Sequence, residues 1–177
     1  MTVPDKTVIV VMGVAGSGKT TIARLLAQDL GWKQTEADDL HGPENVAKMA
    51  AGIPLTDSDR APWLRRICQR IDETEGNQVV TCSALRRSYR DILRTANARV
   101  RFLHLHGSPE TLASRIGART EHFMPASMPV WVRLRHDASR YAGIESISSA
   151  TKIEIRSRAG AMKVMPSSDD TSRKIDA

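Results

Sequence analysis

The chain has 177 residues, 41% of them hydrophobic, which fits one domain of the usual roughly 100–200 residues with a real core. Its 26 Lys and Arg against 20 Asp and Glu leave a net charge of +6, which favours anionic ligands such as nucleotides, phosphates or sugar acids. Two cysteines without paired-ligand spacing argue against a disulfide framework or zinc site, and 4% aromatic content argues against a nucleic-acid stacking platform; with no apolar run of ~20 residues and no signal-peptide start, a soluble cytoplasmic protein without membrane partners is expected.

Residues 7–12 (TVIVVM) form a β-branched run without alternation, the pattern of a strand buried on both faces of a parallel sheet. GVAGSGKTT follows, and then residues 21–30, where Ile22, Leu25, Leu26 and Leu30 recur at helical spacing before Gly31. Residues 32–37 predict a second strand, and residues 43–51 a short helix closed by Gly52. Residues 62–75 predict a helix whose apolar face is Trp63, Leu64, Ile67 and Ile71, ended by Gly76-Asn77. A third strand is predicted over 78–82, a helix over 87–95, a strand over 100–106 and a helix over 109–119 with Ser108 as N-cap. Strands alternating with helices imply an α/β fold, a parallel sheet with helices on both faces.

Gly13-Val14-Ala15-Gly16-Ser17-Gly18-Lys19-Thr20 matches G-x-x-x-x-G-K-[ST] and is followed by Thr21; it lies between a strand and a helix, the context this phosphate loop requires. The glycines let successive N–H groups turn inward around a phosphate, and the helix start adds partial positive charge. Lys19 should reach the β- and γ-phosphates of a bound nucleotide, with the Thr20 hydroxyl on Mg²⁺. The third strand ends in Thr81-Cys82-Ser83 and lacks the apolar run plus Asp that usually serves the metal. Another carboxylate must serve, and Glu36-Ala37-Asp38-Asp39-Leu40-His41 is the nearest source. Ligands of such sheets sit at the carboxyl ends of the strands. The second strand is expected to neighbour the first, so that Asp38 faces the γ-phosphate and takes a proton from an attacking hydroxyl. Asp39 reads as the acidic first turn of the following helix.

Residues 36–64 carry Glu36, Asp38, His41, Asn45, Lys48, Met49, Gly52, Pro54, Leu55, Asp57, Asp59, Arg60, Pro62, Trp63 and Leu64 in an order that closely resembles the gluconokinases. Gly42, inserted between His41 and Pro43, departs from that family's His-Pro. Residues 80–94 (VTCSALRRSYRDILR) resemble its Cys-Ser-Ala-Leu block, and Arg115, Arg119, His122, Phe123, Met124 and Pro125 resemble its lid. The resemblance runs from about residue 7 to residue 127. It implies a P-loop NTPase fold, three-layer α/β/α with a parallel sheet, nucleoside/shikimate-kinase-like. It also implies ATP-dependent phosphorylation of D-gluconate at its 6-hydroxyl. Asp38 would activate that hydroxyl, Arg60, just before a helix, would pair with the acid, and His41 and Lys48 would bond hydroxyls or the acid. Arg86, Arg87 and Arg90 form a basic cluster beside the third strand, from which Arg87 is the candidate substrate contact. Arg115 and Arg119, one helical turn apart, are expected on a lid that closes over the triphosphate, with Arg119 neutralising transition-state charge. Similar kinases often dimerise, so a homodimer is an open expectation. Two alternatives stand beside this reading: a kinase for another hydroxy acid such as shikimate, and a nucleotide-binding protein with little turnover.

After Ser127 the resemblance stops. The expected division is therefore a kinase core over residues 1–127, with its lid near 115–127, and a divergent tail over 128–177. The tail's cues are an alternating run at 151–156 and a final stretch rich in Ser, Asp and Arg. Either the tail is divergent or the coding frame shifts near Met128. The codons GTC CGA CTT CGC CAC GAC can encode Val132-Arg133-Leu134-Arg135-His136-Asp137, and read one base later they give Ser-Asp-Phe-Ala-Thr, close to a Ser-Gln-Phe-x-Thr pattern of the family. Loss of the family's last strand would leave a sheet edge open.

Overall fold

A computed structural model of the chain describes residues 5–107, residue 112 and the strands at 145–148, 161–163 and 174–176. In chain order these are β1 (Thr7–Met12), α1 (Lys19–Leu30), β2 (Lys33–Glu36), a 3₁₀ turn (Ala37–Leu40), α2 (Pro43–Ala50), α3 (Asp57–Glu73), β3 (Gln78–Thr81), α4 (Arg87–Leu93), β4 (Arg99–His106), β5 (Glu145–Ser148), β6 (Ala161–Lys163) and β7 (Lys174–Asp176). The first five strands form one sheet in the order β2-β3-β1-β4-β5. Every neighbouring pair in it is parallel.

This order corrects the expectation that β2 lies beside β1: β3 stands between them. Burial explains why. All four residues of β3 (QVVT) are buried, as an interior strand requires, whereas β2 (KQTE) carries two exposed residues and sits at the edge. At the opposite side β5 pairs with β4 from Leu103↔Glu145 to His106↔Ser148. The edge of β4 that a lost last strand would have opened is thus covered by residues that follow Ser127. β6 and β7 form a separate antiparallel pair. The run at 151–156 lies outside the described residues, as does the helix expected over 109–119 apart from Leu112, which is helical and buried.

Alternate side chains of β1 point to opposite faces and seed two cores. Val8, Val10 and Met12 pack with Trp63, Leu64, Ile67, Ile71, Tyr89 and Leu93 of α3 and α4. Val11 packs with Ala23, Leu26 and Ala27 of α1, and with Val79, Leu103 and Leu105. The result is the expected three-layer arrangement. Among the described residues no helix is long and apolar enough to cross a membrane, and Cys68 and Cys82 are both free thiols.

Helix α3 starts five residues before the expected 62. Thr56 accepts from the Asp59 N–H while the Asp59 carboxylate accepts from the Thr56 N–H, a reciprocal cap that sets the start at Asp57. Pro62 therefore sits inside the helix, and Arg60, expected just before it, lies in its first turn. The inserted Gly42 takes the N-cap position of α2, with Pro43 as the first helical residue.

His104 on β4 is 5% exposed, and burial, with His106 and Arg90 adding to it, lowers its pKa from 6.5 to about 4. The folded state refuses a proton that the unfolded chain accepts. This contribution to stability is complete above about pH 6.5 and is withdrawn as pH falls towards about 4, by up to roughly 3 kcal/mol. Urea unfolding at pH 7 and pH 4.5 is expected to show that loss, and a smaller pH dependence in His104→Gln. Equal pH dependence in both proteins would contradict it.

Candidate active site

Helix α1 begins with no side-chain cap and no acid in its first turn, so its leading N–H groups are open to an anion. The loop before it is tightly folded. Ser17 donates from both Oγ and its backbone N–H to the Val14 carbonyl, at 2.8 and 3.2 Å, and Lys19 Nζ donates to the same oxygen at 3.0 Å. Lys19 is thereby held over the loop. Gly13 has φ +150°, and a Cβ there would lie 2.5 Å from the Leu105 carbonyl oxygen and 2.8 Å from Ser17 Oγ. The backbone thus approaches β4 as closely as glycine alone permits. Ala15 and Gly16 (φ 79°) complete the loop, Gly18 (φ 91°) caps α1, and Thr20 and Thr21 are exposed in its first turn. The loop is an anion cradle of a triphosphate's chemistry.

The acidic segment comes to this cradle across β3. Glu36 Oε2, at the end of β2, accepts from Thr81 Oγ1 of β3 at 2.5 Å and from Thr20 Oγ1 of α1 at 3.4 Å. Gln34 Nε2 holds the other oxygen, Oε1, at 2.7 Å. Glu36 was not among the site residues expected from sequence, although it shares a segment with Asp38. A threonine hydroxyl beside a carboxylate is an oxygen donor set that fits Mg²⁺, which takes few protein ligands and keeps water and phosphate oxygens for the rest.

Asp38 and Asp39 lie exposed on the 3₁₀ turn, whose buried Ala37 presents its carbonyl to Trp63 Nε1 at 2.6 Å. The Cys82 thiol lies fully buried just after β3. Burial pushes its pKa up to about 12, the Asp38 charge adds to the rise and the Lys19 charge opposes it.

Beyond Asp38 the ring of His41 stacks on Trp63, with centroids 4.3 Å apart, and its Nδ1 lies 3.3 Å from Asn45 Nδ2. Burial lowers its pKa below 6.5; Asp38 works against that shift, and Arg60 and Arg66 work with it. His41 is therefore neutral at pH 7, able to donate or accept. Lys48 pairs with Asp59 at 2.7 Å, the main cause that holds the Asp59 carboxyl at about 2, so its ammonium serves the α3 cap. Arg60 donates to the Leu55 carbonyl at 2.6 Å and to Tyr89 Oη at 3.4 Å. Arg87 is not brought to this group: its side chain is 86% exposed, and it meets Asp91 of its own helix at 3.8 Å. Its neighbour Arg86 pairs with Asp57 instead. Buried Arg90 donates to the carbonyls of Ala84 (2.9 Å) and Leu85 (3.0 Å), bracing the turn after β3 where Ala84 takes φ 40°. Arg115 and Arg119 lie outside the described residues.

A family model described as shikimate kinase matches residues 15–164. A gluconokinase of Gluconobacter oxydans (strain 621H) is 50% identical over 125 residues, covering 68% of this chain and 69% of that protein. The thermoresistant gluconokinase of Escherichia coli (strain K12) is 39% identical over 129 residues, covering 71% and 74%. The crystal structure of a gluconokinase from Sinorhizobium meliloti 1021 superposes with a TM-score of 0.71 at 43% identity, over 82% of this chain and 84% of that one.

Gly13→Ala is expected to weaken binding of a fluorescent nucleoside triphosphate by more than about tenfold, since the added methyl displaces either Ser17 or the β4 backbone. Gly52→Ala, also at positive φ but with nothing within 4 Å, is expected to bind as wild type. Equal binding by both variants would refute the cradle.

Proposed function

We propose that this chain, which belongs to the gluconokinase family within the wider shikimate kinase group, transfers the γ-phosphoryl group of ATP to the 6-hydroxyl of D-gluconate, giving 6-phospho-D-gluconate and ADP. The observation that carries the reading is the phosphate loop with Lys19 held over it and Glu36 bonded to Thr20 at the start of the same helix, at the carboxyl edge of the sheet where such folds bind ligands.

The chain's own residues divide the work. The N–H groups of residues 13–20 and the Lys19 ammonium hold and neutralise the phosphates. Asp38 orients the hydroxyl and accepts its proton as the new O–P bond forms and the bond to ADP breaks. Thr20 and Glu36 would hold Mg²⁺, which supplies neutralisation of charge on the phosphate oxygens. His41, neutral and fixed on Trp63, bonds a substrate hydroxyl, and Arg60 pairs with the carboxylate. Lys48 assists through Asp59 and the α3 cap. Arg115 and Arg119 belong in the reading as lid residues that complete the charge neutralisation and exclude water. The reading keeps residues 1–127 as the kinase core and 128–177 as a divergent segment, and it places the enzyme in the cytoplasm; nucleotide sequence across the Met128 codon tests the frame.

ADP release is to be followed with gluconate, with shikimate and with no acceptor. Wild type is expected to turn over with gluconate, and Asp38→Asn to lose about 10²–10⁴-fold in kcat while nucleotide affinity stays within about twofold. Shikimate-dependent turnover, or nucleotide binding without acceptor-dependent turnover, would contradict the assignment.

A further inference from the structure

Where α3 and α4 begin, one carboxylate accepts from two donors, and a second guanidinium stands beside it. Asp57, the first residue of α3, pairs through Oδ2 with Arg86, the N-cap residue of α4. Its Oδ1 accepts from Tyr89 Oη at 2.5 Å and lies 3.9 Å from an Arg60 nitrogen. The two guanidinium carbons lie 6.0 Å (Arg60) and 5.9 Å (Arg86) from the Tyr89 ring centroid, so one aromatic ring backs both arginines. Two planar forks and a phenol converging on one point are the donor set that recognises a free carboxylate.

We propose that Arg86 and Arg60 together form the clamp for the carboxylate of the sugar-acid substrate, and that Asp57 is an internal stand-in which that carboxylate displaces; the inference rests on the sugar-acid kinase reading above. Two arginines against one aspartate leave a surplus positive charge for an anion. The side chains of Arg86 and Asp57 are 62% and 55% exposed, and an ion pair that open contributes little, so exchanging it for an incoming carboxylate costs little. Arg60, in the first turn of α3, and Trp63, which carries the His41 ring, stand on the same helix. Tyr89 stays a donor, since burial and the bond to Asp57 both raise its pKa above 10. Arg87, one residue on, has none of these contacts.

If Asp57 were a brace joining α3 to α4, removing its charge would loosen the site. As a stand-in, its removal frees the clamp. Steady-state kinetics are to be measured with D-gluconate, shikimate and other hydroxy acids, and binding of the same acids and of D-glucitol, the neutral polyol of the same chain length, by calorimetry. Arg86→Gln is expected to raise the gluconate KM about tenfold with kcat within about threefold and the ATP KM unchanged, and Arg86→Lys to recover only part. Asp57→Asn is expected to lower the gluconate KM severalfold. Glucitol binding is expected to stay the same in all variants. A wild-type gluconate KM in Arg86→Gln, an equal loss of glucitol binding, or a raised KM in Asp57→Asn would overturn the clamp. A wild type that prefers another acid would refute the substrate assignment, and the same variants then decide the clamp on that acid. A wild type that binds no acid overturns both.

Discussion

One carboxylate oxygen carries the geometry of the site. Glu36 Oε2 takes hydroxyl bonds from β3 and from the first turn of α1, and so ties the end of the edge strand to the phosphate loop across the strand between them. Without that bridge the acidic turn would follow an exposed four-residue edge strand with little to fix its position. With it, Asp38 stands two residues beyond a fixed point, exposed on the turn that follows. A parallel sheet makes this possible, because all its strands end on the same side and every loop that carries chemistry opens there.

The wall of the site is buried and its mouth is exposed. Trp63, 2% exposed, anchors the turn at Ala37 through its indole N–H and supports His41 on its face, so the core cluster that holds α3 to the sheet also positions two site residues. Lys48 and Asp59 are consumed in setting the start of α3. That start is what places Asp57 and Arg60 opposite α4. The charges left at the mouth are half exposed and weakly committed, as groups that must exchange partners with a substrate need to be.

Much of this was readable from residue order, and the failures have physical causes. The strand of residues 7–12, the phosphate loop and the helix after it follow from local pattern, which is strongest where burial on both faces leaves an uninterrupted apolar run. Strand order is a nonlocal property, yet a signal existed: QVVT has no charged side chain to leave in water, and KQTE has two. A start at Pro62 follows from proline's preference for the first helical turn, whereas the reciprocal Thr56 and Asp59 cap sets the true start at Asp57. Arg86 rather than Arg87 meets Asp57, and a signal for it existed: Arg86 precedes Arg90 by one helical turn, and Tyr89, Arg90 and Leu93 mark the buried face of α4. Glu36 could not be ranked by type alone, because its role comes from two hydroxyls distant in sequence. β5, with the sequence ESIS, lacks an apolar pattern and is defined by pairing with β4.

The central claim is that the phosphate loop and the acidic turn act as one site, moving a phosphoryl group onto a sugar acid. It is tested most directly by incubating the full chain with ATP, Mg²⁺ and ¹³C-labelled D-gluconate and reading the product by ¹³C and ³¹P NMR. The account predicts one phosphate ester, with phosphorus coupling at C6 of the sugar acid. ATP converted to ADP and inorganic phosphate with the gluconate signals unchanged would contradict it.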